Sequence, residues 1–296
     1  MRQKLTIDAL NQASVADFIG ALANIVERSP WVADMVEQGR PYADAAALRT
    51  ALVRALGSAP REQILAMIRA HPDLANRMQR ASGLTAESAF EQDGAGLDRL
   101  SEREFELFTQ SNDSYKAKFG FPFILCVRRH TKDSILDVFA RRLTNSPPHE
   151  ERNALVEIGR IATLRFAELL ADPVPLGVHG TLSTHVLDTH AGCPAEGVGI
   201  ELVELSRYGE ARRVACAITN KDGRTWPALI EGRPLPIGRY ELRFQIGTFY
   251  ARRGISLPDP PFLDVIPLRF GISEPERHLH VPLLVTPWGY TTYQGS

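Results

Sequence analysis

The chain has 296 residues, 44% of them hydrophobic and 23% charged, with 34 basic against 35 acidic side chains and a formal net charge of −1. That length suits two domains, and the composition is that of ordinary globular protein. The balanced charge offers no surplus for nucleic acid or an anionic membrane surface, and no run of 18 apolar residues suggests a membrane span.

Residues 1–170 read as helices. Ser14 is placed to cap a helix whose apolar positions are Val15, Phe18, Ile19, Leu22, Ile25 and Val26, at helical spacings. Ile64, Leu65 and Ile68 carry a short second stripe. Ser101-Glu-Arg-Glu104 is a capping-box pattern ahead of Phe105 and Phe108 and predicts a long helix. Ile135, Leu136 and Phe139 mark another. The last helix should run from about His149 to Leu170, with Leu155, Ile158, Ala162, Phe166 and Leu169 on one stripe. Ala171-Asp-Pro-Val-Pro-Leu-Gly177 then holds two prolines and a glycine, which suits a junction. Beyond it alternation replaces the helical period: 182–187, 198–202, 214–218, 240–246, 263–268, 277–285 and 287–293 all read as strands. Turn signals at Lys221-Asp-Gly-Arg224 and Gly232-Arg-Pro234 separate some of them. The predicted organisation is an all-α domain over 1–171, a linker over 172–178 and an all-β sandwich over 179–296.

In the β half, His278 and His280 sit two apart on a predicted strand, so they share a face opposite Leu279, Val281 and Leu283. His185, Arg224 after the Asp222-Gly223 turn, and the Tyr293–Ser296 tail are the other polar candidates. Two imidazoles and a guanidinium suit attack of water on a carbonyl. One ring takes the proton of water, the other ring or a hydroxyl protonates a leaving nitrogen, and the arginine holds an anionic ring. No Cys or Ser with an evident activating partner argues for a covalent intermediate. A single strand histidine is more often a hydrogen-bonded structural residue. Zinc held by His278, His280, His185 and His190 is a rival, but no carboxylate or Cys pairing follows a metal spacing, and no metal is expected.

Leu182-Ser-Thr-His-Val-Leu-Asp-Thr-His-Ala-Gly-Cys-Pro-Ala195, Thr219-Asn-Lys-Asp-Gly-Arg224 and His280-Val-Pro-Leu-Leu284 followed by Tyr290-Thr-Thr-Tyr-Gln-Gly-Ser296 resemble the transthyretin-related family of 5-hydroxyisourate hydrolases. The resemblance covers about residues 179–296 and implies a transthyretin-like sandwich assembled as a tetramer, with sites at subunit interfaces. It assigns catalytic positions to His185, Arg224, His280 and Ser296, and a substrate contact to Tyr293. That family's tail usually reads Tyr-Arg-Gly-Ser, and Gln294 stands in place of the arginine. The loss of a cation near an anionic substrate implies altered affinity.

The helical half carries His71-Pro-Asp-Leu-Ala75, Glu87-Ser-Ala-Phe-Glu-Gln92 and Phe119-Gly-Phe-Pro-Phe-Ile-Leu-Cys-Val127. Pro72 disfavours helix at His71, so that imidazole belongs near a helix end. Ser88, Glu91 and Gln92 would share a helical face. The apolar stretch 119–127, with a Gly and a Pro, should be irregular or extended, with backbone amides available to a ligand. Arg165 falls on the buried stripe of the last helix and needs a partner, either an internal carboxylate such as Glu91 or an anionic ligand. With Leu143-Thr-Asn-Ser146, these motifs resemble the family of 2-oxo-4-hydroxy-4-carboxy-5-ureidoimidazoline (OHCU) decarboxylases, over roughly residues 8–170. The resemblance implies an all-helical, cofactor-free and usually dimeric decarboxylase. It assigns acid catalysis to His71 with Glu91 as partner carboxylate, and substrate contacts to Pro72, Ser88, Gln92, Phe123, Ile124, Leu125, Cys126, Val127 and Arg165.

The two resemblances fit together, because the product of the hydrolase is the substrate of the decarboxylase. They imply a fusion that converts 5-hydroxyisourate to OHCU and then to (S)-allantoin, with small-molecule substrates and no cofactor, nucleic acid or membrane partner. A transthyretin-like carrier, a metal-dependent amidohydrolase, or a fusion with one active domain are the alternatives. Cys126, Cys193 and Cys216 read as scattered reduced thiols, and no apolar leader or C-terminal peroxisomal tripeptide is visible, so a cytoplasmic location is expected, or a peroxisomal one in a eukaryote.

Overall fold

Side-chain caps decide where several helices begin. The Thr6 hydroxyl accepts the Ala9 amide ahead of α1 (Ile7–Gln12), and the Ser14 hydroxyl accepts that of Asp17 (3.1 Å) ahead of α2 (Val15–Leu22). Ile25 and Val26 lie beyond α2 yet are still buried, so the predicted stripe continues into the core after the helix has stopped. Short helix α3 (Trp31–Glu37) and long α4 (Ala45–Ser58), capped by Asp44 on the Ala47 amide, follow; neither stood out in the sequence. Next comes α5 (Arg61–Ala70). The predicted capping box opens α6 (Glu102–Phe119): Ser101 and Glu104 each bind the other's backbone amide, and Gly120, at φ 73°, closes the helix with its amide on Lys116 O. α7 (Lys132–Arg142) and α8 (Pro147–Leu169) complete the helical half, α8 starting on two prolines that need no amide partner there. Phe18, Leu48, Leu52, Phe108, Phe139, Ile158 and Phe166, each at most 2% exposed, build one core.

The β half is a sandwich. β4 (Gly199–Leu205), β5 (Ala211–Ile218), β7 (Gly238–Gln245) and β8 (Val265–Ile272) form an antiparallel sheet in the order β5-β4-β7-β8. Opposite it lie β1 (Gly180–Ser183), β2 (Val186–Asp188), β3 (Cys193–Pro194), β6 (Ile230–Arg233), β9 (His278–His280), β10 (Leu283–Thr286) and β11 (Gly289–Thr292), in the orders β6-β1-β9 and β11-β10-β2-β3. β1 and β2 are one strand line interrupted at Thr184–His185, and β9 and β10 another interrupted at Val281–Pro282. The two lines stay parallel across the break, through Val281 N to Ser183 O (3.0 Å) and Leu283 N to His185 O (2.8 Å). Leu182, Val186, Leu283 and Val285 meet Ile200, Leu202, Leu242, Phe244 and Ile266 between the sheets. A helix, α9 (Ile246–Arg252), follows β7 where the sequence suggested only the end of a strand.

The structure is a computed structural model that describes residues 4–74, 97, 100–171 and 176–295. It divides into two units: Met1–Arg128 with Ser134–Val178, and Arg129–Asp133 with His179–Ser296. The five residues Arg129–Asp133 thus group with the sheet unit. Among the described residues no helix is long and apolar enough to cross a membrane.

Candidate functional site

Pairing across β1 and β9 sets the imidazoles. Thr181 lies opposite His278 and Ser183 opposite His280, in parallel register. Leu182, Thr184 and Val186 point into the core, at most 1% exposed, so Thr181, Ser183 and His185 turn to the other, half-exposed face. His280 therefore stands beside Ser183, and His185 lies two residues further along the same face. The Ser183 hydroxyl oxygen is 2.8 Å from His278 Nε2 and 2.9 Å from His280 Nδ1. His278 and His280 thus converge on one serine that the sequence reading did not single out. Only the partnering of β1 with a strand 97 residues away reveals it.

Arg224 arrives on the turn after β5. The Asn220 side-chain oxygen accepts the amides of Asp222 and Arg224, both at 3.0 Å, and Gly223 closes the turn at φ 71°. Glycine is required at 223 on a second ground: a Cβ there would lie 2.3 Å from Val186 O. The Gly223 carbonyl accepts the Val186 amide (2.8 Å), and Arg224 is bridged to His185 in the β pattern. The tail closes the other side. The Gly295 amide donates to His280 O (2.9 Å), and Gly295 lies so close to the His280 ring that a Cβ would sit 2.7 Å from Cδ2.

These groups act on one another. Burial and then the charges of Arg224, His278 and His185 hold the His280 imidazole below its ordinary value of 6.5, against the accepting backbone of Ser183. Burial and Arg224 likewise lower His185, against Asp222. His185 Nε2 is buried with no hydrogen-bond partner. Two neutral imidazoles beside an exposed guanidinium can take a proton from water and hold an anionic ring. Tyr293 and Gln294 are exposed on the tail, and Ser296 lies outside the described residues. Among the described residues no three His, Cys, Asp or Glu side chains gather as a metal site. His190, the fourth imidazole of the zinc alternative, is exposed and faces Tyr250 at 6.4 Å between ring centroids.

In the helical unit, His71 is the residue that ends α5. Its backbone is extended (ψ 138°) and it is 7% exposed. The carbonyl end of α5 favours a cation there. Asp73, next after Pro72, is bound by Lys116 Nζ (2.8 Å) and Asn112 Nδ2 (3.4 Å) of α6, which ties the motif to a long helix. Ser88, Glu91 and Gln92 lie outside the described residues.

Phe121–Cys126 is irregular, as expected, but Phe119 still belongs to α6 and Val127 opens a short 3-10 turn (Val127–Arg129); Phe121–Val127 is wholly buried and its main chain is engaged. The Cys126 amide donates to Glu157 Oε2 (2.8 Å), and Ile124 O accepts Arg142 Nη1 (2.7 Å). The expectation that these amides stand available therefore fails at Cys126, where a carboxylate of α8 already satisfies the donor. Phe123 stacks on Phe139 at 3.6 Å between centroids and lies under the Arg142 guanidinium. Beneath the segment, Glu150, fully buried, accepts from Tyr115 OH (2.6 Å), Asn145 (2.8 Å), Asn153 (3.1 Å) and Arg142 Nε, and these donors hold its carboxyl below the ordinary range although burial opposes it. Asn145 of the Leu143–Ser146 motif thus serves the buried carboxylate. Arg165 is paired with Glu27 of the loop after α2 (2.6 Å), an internal carboxylate; Glu91, the partner suggested by sequence, lies outside the described residues.

Comparison with known proteins agrees with this division. The family profile described as OHCU decarboxylase matches residues 11–167, and the one described as HIUase/Transthyretin family matches residues 182–295. A 2-oxo-4-hydroxy-4-carboxy-5-ureidoimidazoline decarboxylase of Haloferax volcanii is 39% identical over 165 residues, which is 56% of this chain and 96% of the relative. A 5-hydroxyisourate hydrolase of Rhizobium meliloti is 49% identical over 118 residues, 40% of this chain and 97% of the relative. One solved structure, titled as that of (S)-allantoin synthase, is similar along 99% of this chain and 100% of its own, with 34% identity and a TM-score of 0.55.

Proposed function

The chain belongs to the OHCU decarboxylase family through its helical half and to the HIUase/transthyretin family through its sheet half, and from that premise we propose a bifunctional enzyme of urate breakdown. The sheet unit hydrolyses 5-hydroxyisourate to OHCU, and the helical unit decarboxylates OHCU to (S)-allantoin. The observation that carries the first activity is the convergence of His185, Arg224 and His280, from three separate stretches, on one half-exposed face closed by the tail.

In the hydrolytic step one imidazole takes a proton from water as the water oxygen bonds the ring carbonyl carbon. The ring C–N bond then breaks, its electron pair staying on nitrogen, which receives the proton taken from water, relayed from the imidazolium through the second imidazole or the Ser296 hydroxyl. Arg224 holds the anionic ring, and Tyr293 contacts the substrate from the tail. In the second step the C–CO2 bond breaks and its electrons pass into the imidazoline ring as an enolate-like anion, so the substrate supplies its own electron sink. His71, with Glu91 as its partner, delivers a proton to one face of that carbon. Arg165 and the 123–127 segment are retained as substrate contacts, together with Pro72, Ser88 and Gln92.

The sheet unit is further proposed to assemble as a tetramer and the helical unit as a dimer. β11 ends its sheet, and Trp288, Tyr290 and Tyr293 lie 45–58% exposed in and around it. A monomeric mass in solution would refute both.

The test is direct. 5-Hydroxyisourate is generated in situ by oxidation of urate, and its decay is followed by absorbance and the product by circular dichroism. His280→Ala should abolish the first acceleration only, and His71→Ala the second only. A chelator should leave both unchanged. Failure of the wild-type chain to accelerate either step would sink the proposal.

A further inference from the structure

Ser183 holds the clue to how His280 is oriented. Its hydroxyl oxygen lies within hydrogen-bond distance of two ring nitrogens, His278 Nε2 at 2.8 Å and His280 Nδ1 at 2.9 Å. A hydroxyl has one proton to give, so it can donate to one ring only and must accept from the other, or accept from both. The choice is decided on the His280 side. The parallel register sets Ser183 directly beside His280, and the Ser183 backbone, whose carbonyl accepts the Val281 amide (3.0 Å), favours a proton on the His280 ring. A carbonyl can only accept. Two oxygens of Ser183 thus favour a proton on His280 Nδ1, and the hydroxyl proton turns to His278 Nε2. Gly295 packs closely on the same ring, where an added carbon would meet Cδ2 at 2.7 Å.

We infer that Ser183 and His278 form a positioning pair that fixes the tautomer of His280, protonated at Nδ1, so that its Nε2 lone pair is the base that takes the proton from the attacking water. The chain of bonds runs from His280 Nδ1–H to the Ser183 hydroxyl oxygen, and from the Ser183 hydroxyl to His278 Nε2. When Nε2 accepts the proton of water, the resulting imidazolium keeps its Nδ1–H bond to Ser183, and no proton leaves the pair. His278 is exposed, so its own Nδ1–H is met by solvent. Neither Ser183 nor His278 touches the reacting atoms. The inference deepens the hydrolase reading and rests on it for its catalytic part, but the tautomer exists in the resting protein.

The experiment uses the full chain labelled with 15N at histidine, with the His280 resonances assigned by loss in His280→Gln. Long-range 1H–15N spectra should show His280 as the Nδ1–H tautomer in the wild type and a shift toward Nε2–H in Ser183→Ala. In parallel, Ser183→Ala should lower kcat for 5-hydroxyisourate hydrolysis about tenfold or more, with KM within about twofold. Ser183→Thr, which keeps the hydroxyl, should recover most of that loss. His278→Gln, which keeps an acceptor, should retain more activity than His278→Leu. The decarboxylation rate in the same samples reports on folding. An unchanged tautomer in Ser183→Ala, or a rise in KM with kcat intact, overturns the inference. If the wild type does not hydrolyse 5-hydroxyisourate at all, the hydrolase reading falls, and the spectra alone then judge the tautomer.

Discussion

His280 and His185 are lowered for the same two leading reasons, burial and the nearby Arg224 charge, and this fixes the pH dependence of the site. Both rings are neutral in the folded chain at pH 7. The unfolded chain binds their protons more tightly, so they cost nothing above 6.5 and destabilise the fold as pH falls through 6.5 toward the lowered folded values. For catalysis, the acidic limb of the kcat/KM profile for hydrolysis should lie below 6.5, because a neutral base survives to lower pH. Arg224→Gln removes one of the charges that disfavours the cation, and the limb should move up toward 6.5, apart from any loss of substrate affinity. A limb above 6.5 in the wild type, or one that moves down in Arg224→Gln, would contradict the electrostatic account. What could be read from sequence at this scale was the type and face of each residue. What could not was the partner: Ser183 gains its role from a strand 97 residues on, and Arg165 meets Glu27, 138 residues away.

Elements carry the site through two different devices. The tail is an antiparallel bridge of a single residue, Gly295 against His280, and its closeness to the ring allows only glycine. Gly295→Ala must push either the ring or the tail. Hydrolysis should fall about tenfold or more, as misplaced catalytic groups do, while the melting temperature and the decarboxylation rate change little. Hydrolysis at the wild-type rate would show that the tail does not confine His280. In the helical unit the device is a buried ion pair between α7 and α8, Arg142 with Glu150, 4% and 0% exposed, which anchors the irregular 121–127 segment through Ile124 O. Arg142→Met would strand a buried carboxylate and should destabilise the helical unit by roughly 3 kcal/mol or more. Adding Glu150→Leu to it should recover part of that loss. A cost under about 1 kcal/mol in denaturant titration would class the pair with surface bridges. The capping box at Ser101–Glu104 and the strand alternation were legible because they are local. The α9 helix was not: the apolar run of β7 continues into Ile246-Gly-Thr-Phe-Tyr250, and the turn into the helix is set by the Ile246 and Gly247 amides, both on Asp264 O.

At the scale of the whole molecule the sequence shows its change of period near residue 171 plainly, since helical stripes and strand alternation cannot be confused over such lengths. The consequence of joining the two activities is kinetic. OHCU released by one unit is consumed by the other, and a covalent link raises its local supply without any new contact. Protonation of the planar carbanion away from an enzyme has no facial preference, so intermediate that escapes and decays in solution yields racemic product, whereas His71 acting on one face yields one enantiomer. This sets up a comparison between the wild type and an equimolar mixture of His71→Ala and His280→Ala chains. Each mixture partner retains one step, so OHCU must cross solution. With 5-hydroxyisourate generated slowly and enzyme dilute, the wild type should give allantoin of higher optical purity, and with a shorter lag, than the mixture. Concentrating the mixture should close the gap, because free diffusion then supplies what the link supplied. Equal optical purity at every dilution would mean that linkage confers no kinetic advantage, and the same holds if an added independent decarboxylase intercepts the intermediate equally well from both.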